Sequence, residues 1–364
     1  MTIFVQNLYV TMQSIEANGY SIFFNEIGYE RINQIIDENK YSSIFIIVDE
    51  HTNEFCLTKL LPNLAVEIPI EIIEIEAGEV VKNITTCVEI WSILSDLSAD
   101  RKSLIINLGG GVITDIGGFV ASTFKRGIDF INIPTTLLGM VDASIGGKNG
   151  VDLGNLKNQI GVINVPKLLL IDTNFLETLP QKEMRSGLAE MLKHGLIFDK
   201  NYWNQFLDLK TLNFEDLDQL IYRSVEIKNE IVKQDPTENG IRKALNFGHT
   251  LGHAIESHFL ESSSPLLHGE AIAIGMVLES FISKEKKLIS NTDYLEIKNT
   301  ICNIFDKHQF SENDIKSILE LMIHDKKNEY GKVQFALLNG IGKTTINQEI
   351  DNKLIINSFE DYKN

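Results

Sequence analysis

Short apolar runs rich in β-branched residues alternate with amphipathic stretches along the first half of the chain. Each run has the length and composition of a buried strand. The runs lie at residues 43–49, 70–75, 103–108, 128–133 and 168–172. Residues 80–97 and 112–124, between them, repeat their apolar positions at helical spacing. This alternation predicts a parallel sheet covered by helices.

The second half of the chain has a different pattern. From about Pro180 the strands largely stop, and long amphipathic segments follow. The segments cover residues 182–197, 214–234, 247–259, 270–287 and 293–305, and a late hairpin is predicted at 333–346. We therefore predict two domains, an α/β Rossmann-like domain at residues 1–175 and a mainly α-helical domain at residues 176–364. Active sites favour the clefts between such domains.

Composition narrows the class of protein. The chain has 364 residues, of which 43% are hydrophobic, enough for one large core or two ordinary ones. No basic segment followed by an apolar stretch opens the chain, and no apolar run reaches the roughly 18 residues of a membrane span. Cys56, Cys87 and Cys302 are odd in number and far apart, which argues against a disulfide framework. We expect a cytoplasmic protein without a membrane partner.

The charge balance limits the possible partners further. The formal net charge is −17, from 50 acidic and 33 basic residues. Such a surface disfavours nucleic acid and anionic membranes. An anionic small-molecule substrate would therefore need a local basic pocket.

A glycine-rich segment follows the third predicted strand. Residues 109–118 read Gly-Gly-Gly-Val-Ile-Thr-Asp-Ile-Gly-Gly and lead into a helix. Backbone without Cβ atoms can approach a pyrophosphate closely, and a helix N-terminus offers it free N–H groups. The segment departs from the G-x-G-x-x-G fingerprint, so NAD binding and a tight structural turn both stay open. Asp49, at a strand end, could accept from ribose hydroxyls or could cap a turn.

Polar and glycine residues alternate over residues 134–150, and Lys157 and Asn158 follow shortly after. Asp142 could orient a hydroxyl, while Lys148 and Lys157 could hold anionic groups. The alternative is a polar surface loop with solvated lysines, because exposed lysines are the rule.

Histidines are concentrated in one short region. His249 and His253 stand four residues apart and would share one face of a helix, and His268 adds a third imidazole. Upstream, Glu190 lies among apolar residues, where a carboxylate needs a cation. These groups predict a divalent metal site with three protein ligands. The alternatives are capping or core histidines and an ordinary surface ion pair between Glu190 and Lys193. We take four further histidines as structural: His194, His258, His308 and His324.

Basic and amide side chains precede the histidines. Lys228 offers a point charge, Arg242 a forked contact to carboxylate or phosphate, and Asn246 both a donor and an acceptor. Each one singly is typical of a solvated side chain. Their alternation with candidate metal ligands indicates a pocket for a multiply anionic, polyhydroxylated molecule.

The ordered set of motifs resembles the 3-dehydroquinate synthase family. The motifs are residues 109–115, 134–136, 141–148, 157–158, 187–190, 246–249 with 252–253, and 268–270, and the likeness runs from about Gly78 to Gly342. The resemblance implies an NAD-binding α/β domain, a helical metal domain and a homodimer. It also implies conversion of 3-deoxy-D-arabino-heptulosonate 7-phosphate into 3-dehydroquinate and phosphate in the shikimate pathway, with zinc, or possible cobalt, as the metal.

The resemblance also assigns residues to roles. It implies Glu190, His249 and His268 as metal ligands, whereas spacing alone favours His249 and His253 together; His253 would instead move protons near the phosphate. Arg126 would reach the phosphate across the dimer interface. The substrate contacts would be Asp142, Lys148, Asn158, Lys193, Lys228, Arg242, Asn246 and Lys326, with Lys327 as the alternative to Lys326. The NAD contacts implied by the resemblance would be Glu79, Lys82, Gly111, Val112, Ile113, Thr114, Asp115, Thr135, Thr136, Lys157, Phe175, Leu176, Glu177 and Thr178. The residues themselves add Asp49, Gly110 and Lys148 as candidate NAD contacts.

Three positions depart from the family pattern. Thr114 stands where the family commonly has Gly, Asn149 where Thr is frequent, and Ala77 where an acidic residue often occurs. None of them removes a catalytic group. The competing interpretations are another sugar-phosphate cyclase, a metal-dependent alcohol dehydrogenase of the glycerol dehydrogenase type, and a non-enzymatic NAD-binding regulatory or scaffold protein.

Overall fold

A seven-stranded sheet forms the first part of the molecule. The structure is a computed structural model, and it describes residues 13–154, 156–207, 214–260, 262, 264–323 and 333–363. The strand order is β1-β2-β9-β6-β5-β3-β4, and every neighbouring pair except β1–β2 is parallel. Its strands are β1 (Ile15–Glu16), β2 (Ser21–Phe24), β3 (Ser43–Asp49), β4 (Ile70–Ile75), β5 (Ser103–Gly109), β6 (Asp129–Pro134) and β9 (Leu168–Ile171). The predicted parallel sheet is confirmed.

Two antiparallel hairpins lie outside this sheet. One pairs β7 (Lys148–Leu153) with β8 (Leu156–Ile163), and the other pairs β10 (Phe335–Leu338) with β11 (Thr344–Gln348). The late hairpin is as predicted. The β7–β8 hairpin contradicts the expectation of a loop over its first residues.

Helices cover the sheet and build most of the second part. In the first part they are α1 (Asn25–Asn39), α2 (Glu50–Thr52), α3 (Thr58–Leu60), α4 (Ile84–Asp96) and α5 (Gly111–Thr123). In the second part they are α6 (Gln181–Phe198), α7 (Lys200–Asn204), α8 (Phe214–Gln234), α9 (His249–Phe259), α10 (His268–Glu285), α11 (Asn291–Ile304), α12 (Glu312–Ile323) and α13 (Asn352–Lys363). An α/β part followed by a mainly helical part is the fold class that the sequence predicted.

Helix α10 is the centre of the second part. Its residues from Ala271 to Ser283 are buried on every side, and α6, α9, α11 and α13 pack around it. A helix with apolar residues on every side is typical of a core position, and the few polar side chains between Ala271 and Ser283, such as Glu279, are buried with it. Glycines permit its closest contact, because a Cβ on Gly275 would lie 2.0 Å from the carbonyl oxygen of Gly248.

Two helices begin later in the chain than the sequence predicts. Helix α4 begins at Ile84 and not at residue 80, because the Asn83 side chain caps it by accepting from the N–H groups of Thr85 and Thr86. Helix α9 begins at His249 and not at residue 247, because Gly248 has a φ of 78°, outside the helical region.

The chain passes from sheet to helices between Ile171, where β9 ends, and Gln181, where α6 begins. The domain boundary at residues 175/176 stays a prediction. The carboxyl ends of the parallel strands share one edge of the sheet, and ligands of open α/β sheets bind at that edge. Among the described residues, no helix has both the length and the apolar character needed to span a membrane.

Candidate active site

A carboxylate and two imidazoles meet between helices α6, α9 and α10. Glu190 is fully buried in the middle of α6, while His249 and His268 are the first residues of α9 and α10. Oε1 of Glu190 is 3.4 Å from Nε2 of His249 and 3.7 Å from Nε2 of His268. In a tetrahedral zinc site with bonds of about 2.1 Å, neighbouring ligand atoms lie about 3.4 Å apart. The three side chains therefore have the spacing of a metal site.

His253 lies beside this group. The His253 ring centroid is 5.1 Å from that of His249 and 5.7 Å from that of His268. Ligating atoms of these three histidines all lie within 4.8 Å of one another, so the three could also hold a metal ion. The structure thus brings together both sets of ligands that the sequence suggested, and the choice between them stays a prediction.

The environment of Glu190 fits a bound cation. Neither of its oxygens has a hydrogen-bond partner among the described residues, although the Lys193 ammonium forms an ion pair with Oε2. Burial would raise the pKa of Glu190, but Lys193 and His268 outweigh it and lower that pKa. Burial would lower the pKa of His268, but Glu256 and Glu190 raise it to about 9. The two carboxylates therefore favour a positive charge at His268, which a metal ion could supply.

A cluster of ammonium groups around Asp142 adjoins the metal site. Asp142 lies in a single π-helical turn, Gly139–Ala143, and its Oδ1 is 2.7 Å from Lys228 Nζ and 3.8 Å from Lys193 Nζ. Burial raises the pKa of Asp142, but the two lysines hold it well below its usual range. Burial lowers the pKa of Lys228 to about 8, although Asp142 opposes the shift. The cluster joins cations with a hydroxyl acceptor, as binding of a polyhydroxylated anion requires.

The burial of the basic side chains excludes two alternatives that the sequence left open. The side chain of Lys193 is 1% exposed and that of Lys228 is 6% exposed, and Arg242 is also buried. The guanidinium of Arg242 donates to the carbonyl oxygens of Pro236 at 2.6 Å and Gly146 at 3.4 Å. Solvated side chains at these positions, and an ordinary surface pair between Glu190 and Lys193, were wrong as alternatives.

The β7–β8 hairpin is joined to the helical part by two carboxylates. Glu238 forms an ion pair with Lys148 and accepts a hydrogen bond of 2.9 Å from Asn246 Nδ2. Glu256 contacts Lys157 Nζ at 2.6 Å and His268 Nδ1 at 3.2 Å. The candidate substrate residue Lys148 is half exposed, so the prediction of a solvated lysine holds only in part there. Each of the two lysines is thus paired with a carboxylate of the helical part.

The glycine-rich turn lies at the carboxyl edge of the sheet. It connects β5 to α5, and Gly110 is the residue before the first turn of α5. A Cβ on Gly110 would lie 3.0 Å from the side chain of Thr136, so the backbone approaches this neighbour closely. Lys82 and Asp115 form a buried ion pair of 2.6 Å next to the turn. The predicted NAD residues Gly110, Gly111, Val112, Ile113, Thr114, Asp115, Thr135 and Thr136 are therefore contiguous in space at one helix N-terminus.

Two of the residues that depart from the family pattern form hydrogen bonds inside the protein. The Thr114 hydroxyl donates to the carbonyl oxygen of Gly111 at 3.2 Å. The Asn149 amide donates to the carbonyl oxygens of Gly147 at 3.0 Å and Asn164 at 2.7 Å. Both side chains are buried, so they stabilise the turn and the hairpin.

The remaining predicted contacts are more scattered. Phe175, Leu176, Glu177 and Thr178 belong to the 3-10 helix Thr173–Thr178, where Glu177 forms an ion pair of 2.9 Å with Lys59. The Asp49 carboxylate caps α2 by accepting from the Thr52 N–H at 2.7 Å, the alternative role that the sequence left open. Asn158 has a φ of 52° and is exposed on β8. Arg126 is exposed, and Lys326 and Lys327 lie outside the described residues.

Sequence reasoning missed three side chains in this region. His194, taken as structural, is buried with Nε2 3.7 Å from Asp142 Oδ1 and Nδ1 2.7 Å from the Ser224 hydroxyl. Asp142, Glu190 and His194 form a second group of closely placed ligand atoms, which shares Glu190 with the group around His249 and His268. Glu238 and Glu256 belong to none of the motifs recognised in the sequence. The one available signal was the position of Glu256 seven residues after His249, on the same face of a helix.

Family models match both parts of the chain. The model described as 3-dehydroquinate synthase N-terminal matches residues 72–186, and the one described as 3-dehydroquinate synthase C-terminal matches residues 187–328. A 3-dehydroquinate synthase from Parabacteroides distasonis is 43% identical over 326 residues, covering 89% of this chain and 92% of that protein.

Solved structures with the same fold include two synthases. A 2-deoxy-scyllo-inosose synthase complexed with carbaglucose-6-phosphate, NAD+ and Co2+ has a TM-score of 0.82 at 24% identity, covering 96% of this chain and 99% of that one. A 2-epi-5-epi-valiolone synthase from Streptomyces hygroscopicus subsp. jinggangensis 5008, with NAD+ and Zn2+ bound, has a TM-score of 0.83 at 24% identity, covering 96% and 98%. These two likenesses concern the fold. The family models and the relative with 43% identity confirm the resemblance, and the chain belongs to the 3-dehydroquinate synthase family.

Proposed function

We propose that this protein converts 3-deoxy-D-arabino-heptulosonate 7-phosphate into 3-dehydroquinate and phosphate, and that it acts as a carbon–oxygen lyase. The observation that carries this proposal is the placement of a metal-type donor set directly beside a buried ammonium cluster. Oε1 of Glu190 faces His249 and His268, while Lys193 links Glu190 to Asp142. A sugar acid phosphate offers hydroxyls to the first group and negative charge to the second.

We propose zinc and NAD as the cofactors, as in the synthase structure that binds NAD+ and Zn2+. Glu190, His249 and His268 would hold the metal, because Oε1 of the fully buried Glu190, which has no hydrogen-bond partner among the described residues, faces both imidazoles. The turn at the N-terminus of α5 would hold the pyrophosphate of NAD. When bound, the metal lowers the pKa of a coordinated hydroxyl, and NAD accepts and returns a hydride.

The residues of this chain would bind and orient the substrate. Lys193 and Lys228 oppose the negative charge that develops as phosphate departs, and Asp142 accepts a hydrogen bond from a ring hydroxyl. His253 lies beside the candidate ligands without being required among them, so its imidazole can take or give a proton near the leaving phosphate. Burial of the lysines excludes water from their charges and strengthens these interactions.

We also propose a cytoplasmic homodimer in which Arg126 serves the partner subunit's site. Lys125 and Arg126 have φ values of 48° and 70°, and this left-handed turn leaves the Arg126 side chain exposed. Apolar side chains are also exposed on the β7–β8 hairpin and around α4, including Val80 at 87%, Val88 at 51% and Ile163 at 59%. Exposed apolar surface of this kind is typical of a subunit interface.

The decisive experiment mixes purified protein with NAD, zinc and the heptulosonate phosphate. Released phosphate and the absorbance of NADH are followed together. We expect stoichiometric phosphate without lasting NADH. Accumulating NADH would instead support a dehydrogenase, and binding of NAD and metal without turnover would support a regulatory protein.

A further inference from the structure

The carboxylate of Glu256 lies between the candidate metal site and the candidate NAD site. Glu256 is buried on α9, and its Oε2 is 3.2 Å from Nδ1 of His268. Its other oxygen, Oε1, is 2.6 Å from Nζ of Lys157 on β8. Lys157 Nζ is in turn 3.4 Å from Oε1 of Glu79. One carboxylate therefore joins an imidazole of the helical part to an ammonium of the hairpin.

The contact to His268 orients the imidazole. With Nδ1 held by Glu256, Nε2 points to Oε1 of Glu190, 3.7 Å away. A carboxylate on the far nitrogen fixes both the tautomer and the ring orientation of a ligating histidine. Glu256 is thus placed to hold His268 in the state that a metal ion needs.

The contact to Lys157 orders the hairpin. A buried carboxylate is stable only with a cation or several donors, and Lys157 supplies the cation from the other part of the molecule. Because Glu79 shares the same ammonium, moving Lys157 would remove one counter-charge from two carboxylates, leaving Glu79 with Lys82 and Glu256 with His268. Lys157, Glu79 and Glu256 therefore form one unit, and two of its members are candidate NAD contacts.

We propose that Glu256 is a positioning residue that couples occupation of the metal site to occupation of the NAD site. The inference rests on the proposed function, because it takes His268 as a metal ligand and Lys157 as an NAD contact. Either bound ligand orders Glu256 and so places the side chain that the other ligand needs. Linkage makes the effect reciprocal, so NAD and zinc must strengthen each other's binding by the same factor.

The test measures binding and not only turnover. Zinc affinity is determined by competition with a chromophoric chelator, with and without saturating NAD, and NAD affinity by calorimetry with and without zinc. In the wild-type protein we expect each ligand to tighten the other by about 5-fold or more. In Glu256→Gln, which keeps the shape but loses the charge, we expect zinc binding about 10- to 100-fold weaker and a coupling factor close to one.

Two further variants separate positioning from a general structural role. Lys157→Met removes the contacts of Lys157 to Glu256, Glu79 and the candidate NAD site, but it leaves the contact between Glu256 and His268 in place. Zinc affinity without NAD should therefore stay within about threefold of wild type, while the coupling, measured at saturating NAD, disappears. Asp314→Asn is the matched control, because Asp314 forms a carboxylate–imidazole contact of 2.9 Å with His258 on the same helix α9. We expect this control to change neither affinity nor the coupling.

The outcomes are distinguishable. Unchanged zinc affinity and unchanged coupling in Glu256→Gln, or wild-type binding of both ligands without coupling, would overturn the inference and leave the proposed function in place. A wild-type protein that binds no zinc or no NAD would overturn both. If Glu256→Gln fails to fold, Lys157→Met decides alone, and wild-type coupling in that variant would overturn the inference.

Discussion

The Glu190 carboxylate lies in the protein interior, where an unpaired charge would be strongly destabilising. The residue is fully buried, and its neighbours Ala189, Met191 and Leu192 are buried as well. These apolar neighbours were sufficient to predict its burial from the sequence. The convergence of its Oε1 with two imidazoles was not predictable from spacing, because the three residues lie on three different helices. Packing between α6, α9 and α10 decides that geometry.

His249 and His253 lie on the same helix, α9, and substituting each one separately distinguishes a metal ligand from a general acid or base. We expect His249→Ala to lose its zinc, because it removes a donor that faces Glu190. We expect His253→Ala to keep its zinc and to release phosphate about 100-fold more slowly, the usual contribution of a general acid or base. Metal analysis of both proteins checks this. Equal loss of zinc in both would instead favour the pair that spacing alone suggested.

The burial of Lys228 predicts a pH dependence. Burial lowers the pKa of Lys228 to about 8, with Asp142 opposing the shift and Lys193 and Arg242 adding to it. We expect kcat/KM for an anionic substrate to fall as the pH rises through about 8, because the free enzyme then loses this positive charge. Lys228→Met should lack this fall of kcat/KM near pH 8. Lys233→Met, at an exposed position of the same helix, should keep it. The same fall of kcat/KM in Lys228→Met would contradict its assignment to the Lys228 ammonium.

The lowered pKa of Lys228 also affects stability. Raising the pH lowers kcat/KM but increases the free energy of unfolding. The pKa of Lys228 is about 8 in the folded protein and 10.5 as an unperturbed lysine, so the unfolded chain binds the proton more tightly. Below pH 8 both states are protonated, and the cost of the buried charge is fully present. That cost disappears between pH 8 and 10.5, so this residue makes the free energy of unfolding rise with pH there.

At the scale of elements, both candidate histidine ligands begin a helix, and each helix N-terminus is bonded by a buried side chain from another helix. Glu279 on α10 accepts from the N–H groups of Gly248 at 2.7 Å and Leu251 at 3.2 Å. Ser186 on α6 accepts from the N–H of Gly269 at 3.0 Å. Three helices therefore hold one another in register around the site.

Removal of the Glu279 carboxylate should loosen the start of α9. Glu279→Ala leaves two buried N–H groups without an acceptor, so we expect a loss of roughly 3 kcal/mol in the free energy of unfolding. Glu279→Gln, which keeps one acceptor, should lose roughly half as much. Urea unfolding measures both. The control Glu285→Ala, at the exposed end of the same helix, should change stability by less than about 0.5 kcal/mol; a loss equal to that of Glu279→Ala would contradict the role of the carboxylate.

The helical elements followed from the sequence more closely than the β7–β8 hairpin did. Helix α8 has the predicted bounds 214–234, because its apolar period is uninterrupted. In the hairpin, polar residues and glycines hide the alternation. A Cβ on Gly150 would lie 2.6 Å from the Ile160 carbonyl oxygen, and one on Gly161 would lie 2.6 Å from the Asn149 carbonyl oxygen. The β7–β8 hairpin therefore depends on close backbone pairing between Gly150 and Gly161. The strand propensities of the individual residues do not predict this pairing.

At the scale of the whole molecule, a site shared between subunits can be tested by mixing two inactive variants. Arg126→Ala lacks the group offered to the partner, and Lys193→Ala lacks a buried cation of its own site. If Arg126 acts in trans, mixed dimers recover one complete site, and equal mixing after subunit exchange should restore about a quarter of wild-type activity. Activity no greater than that of the separate variants would contradict the shared site.

Because α10 is enclosed on all sides, its backbone has no route to solvent short of disassembly of the helical part. Deuterium should therefore replace the amide hydrogens of residues 271–283 only at the rate of global opening, while those of the β7–β8 hairpin exchange through smaller fluctuations. His268, one of the three candidate metal donors, begins α10 just before this enclosed segment. We therefore expect the loss of a bound ion to require a change in side-chain contacts and not the unwinding of α10.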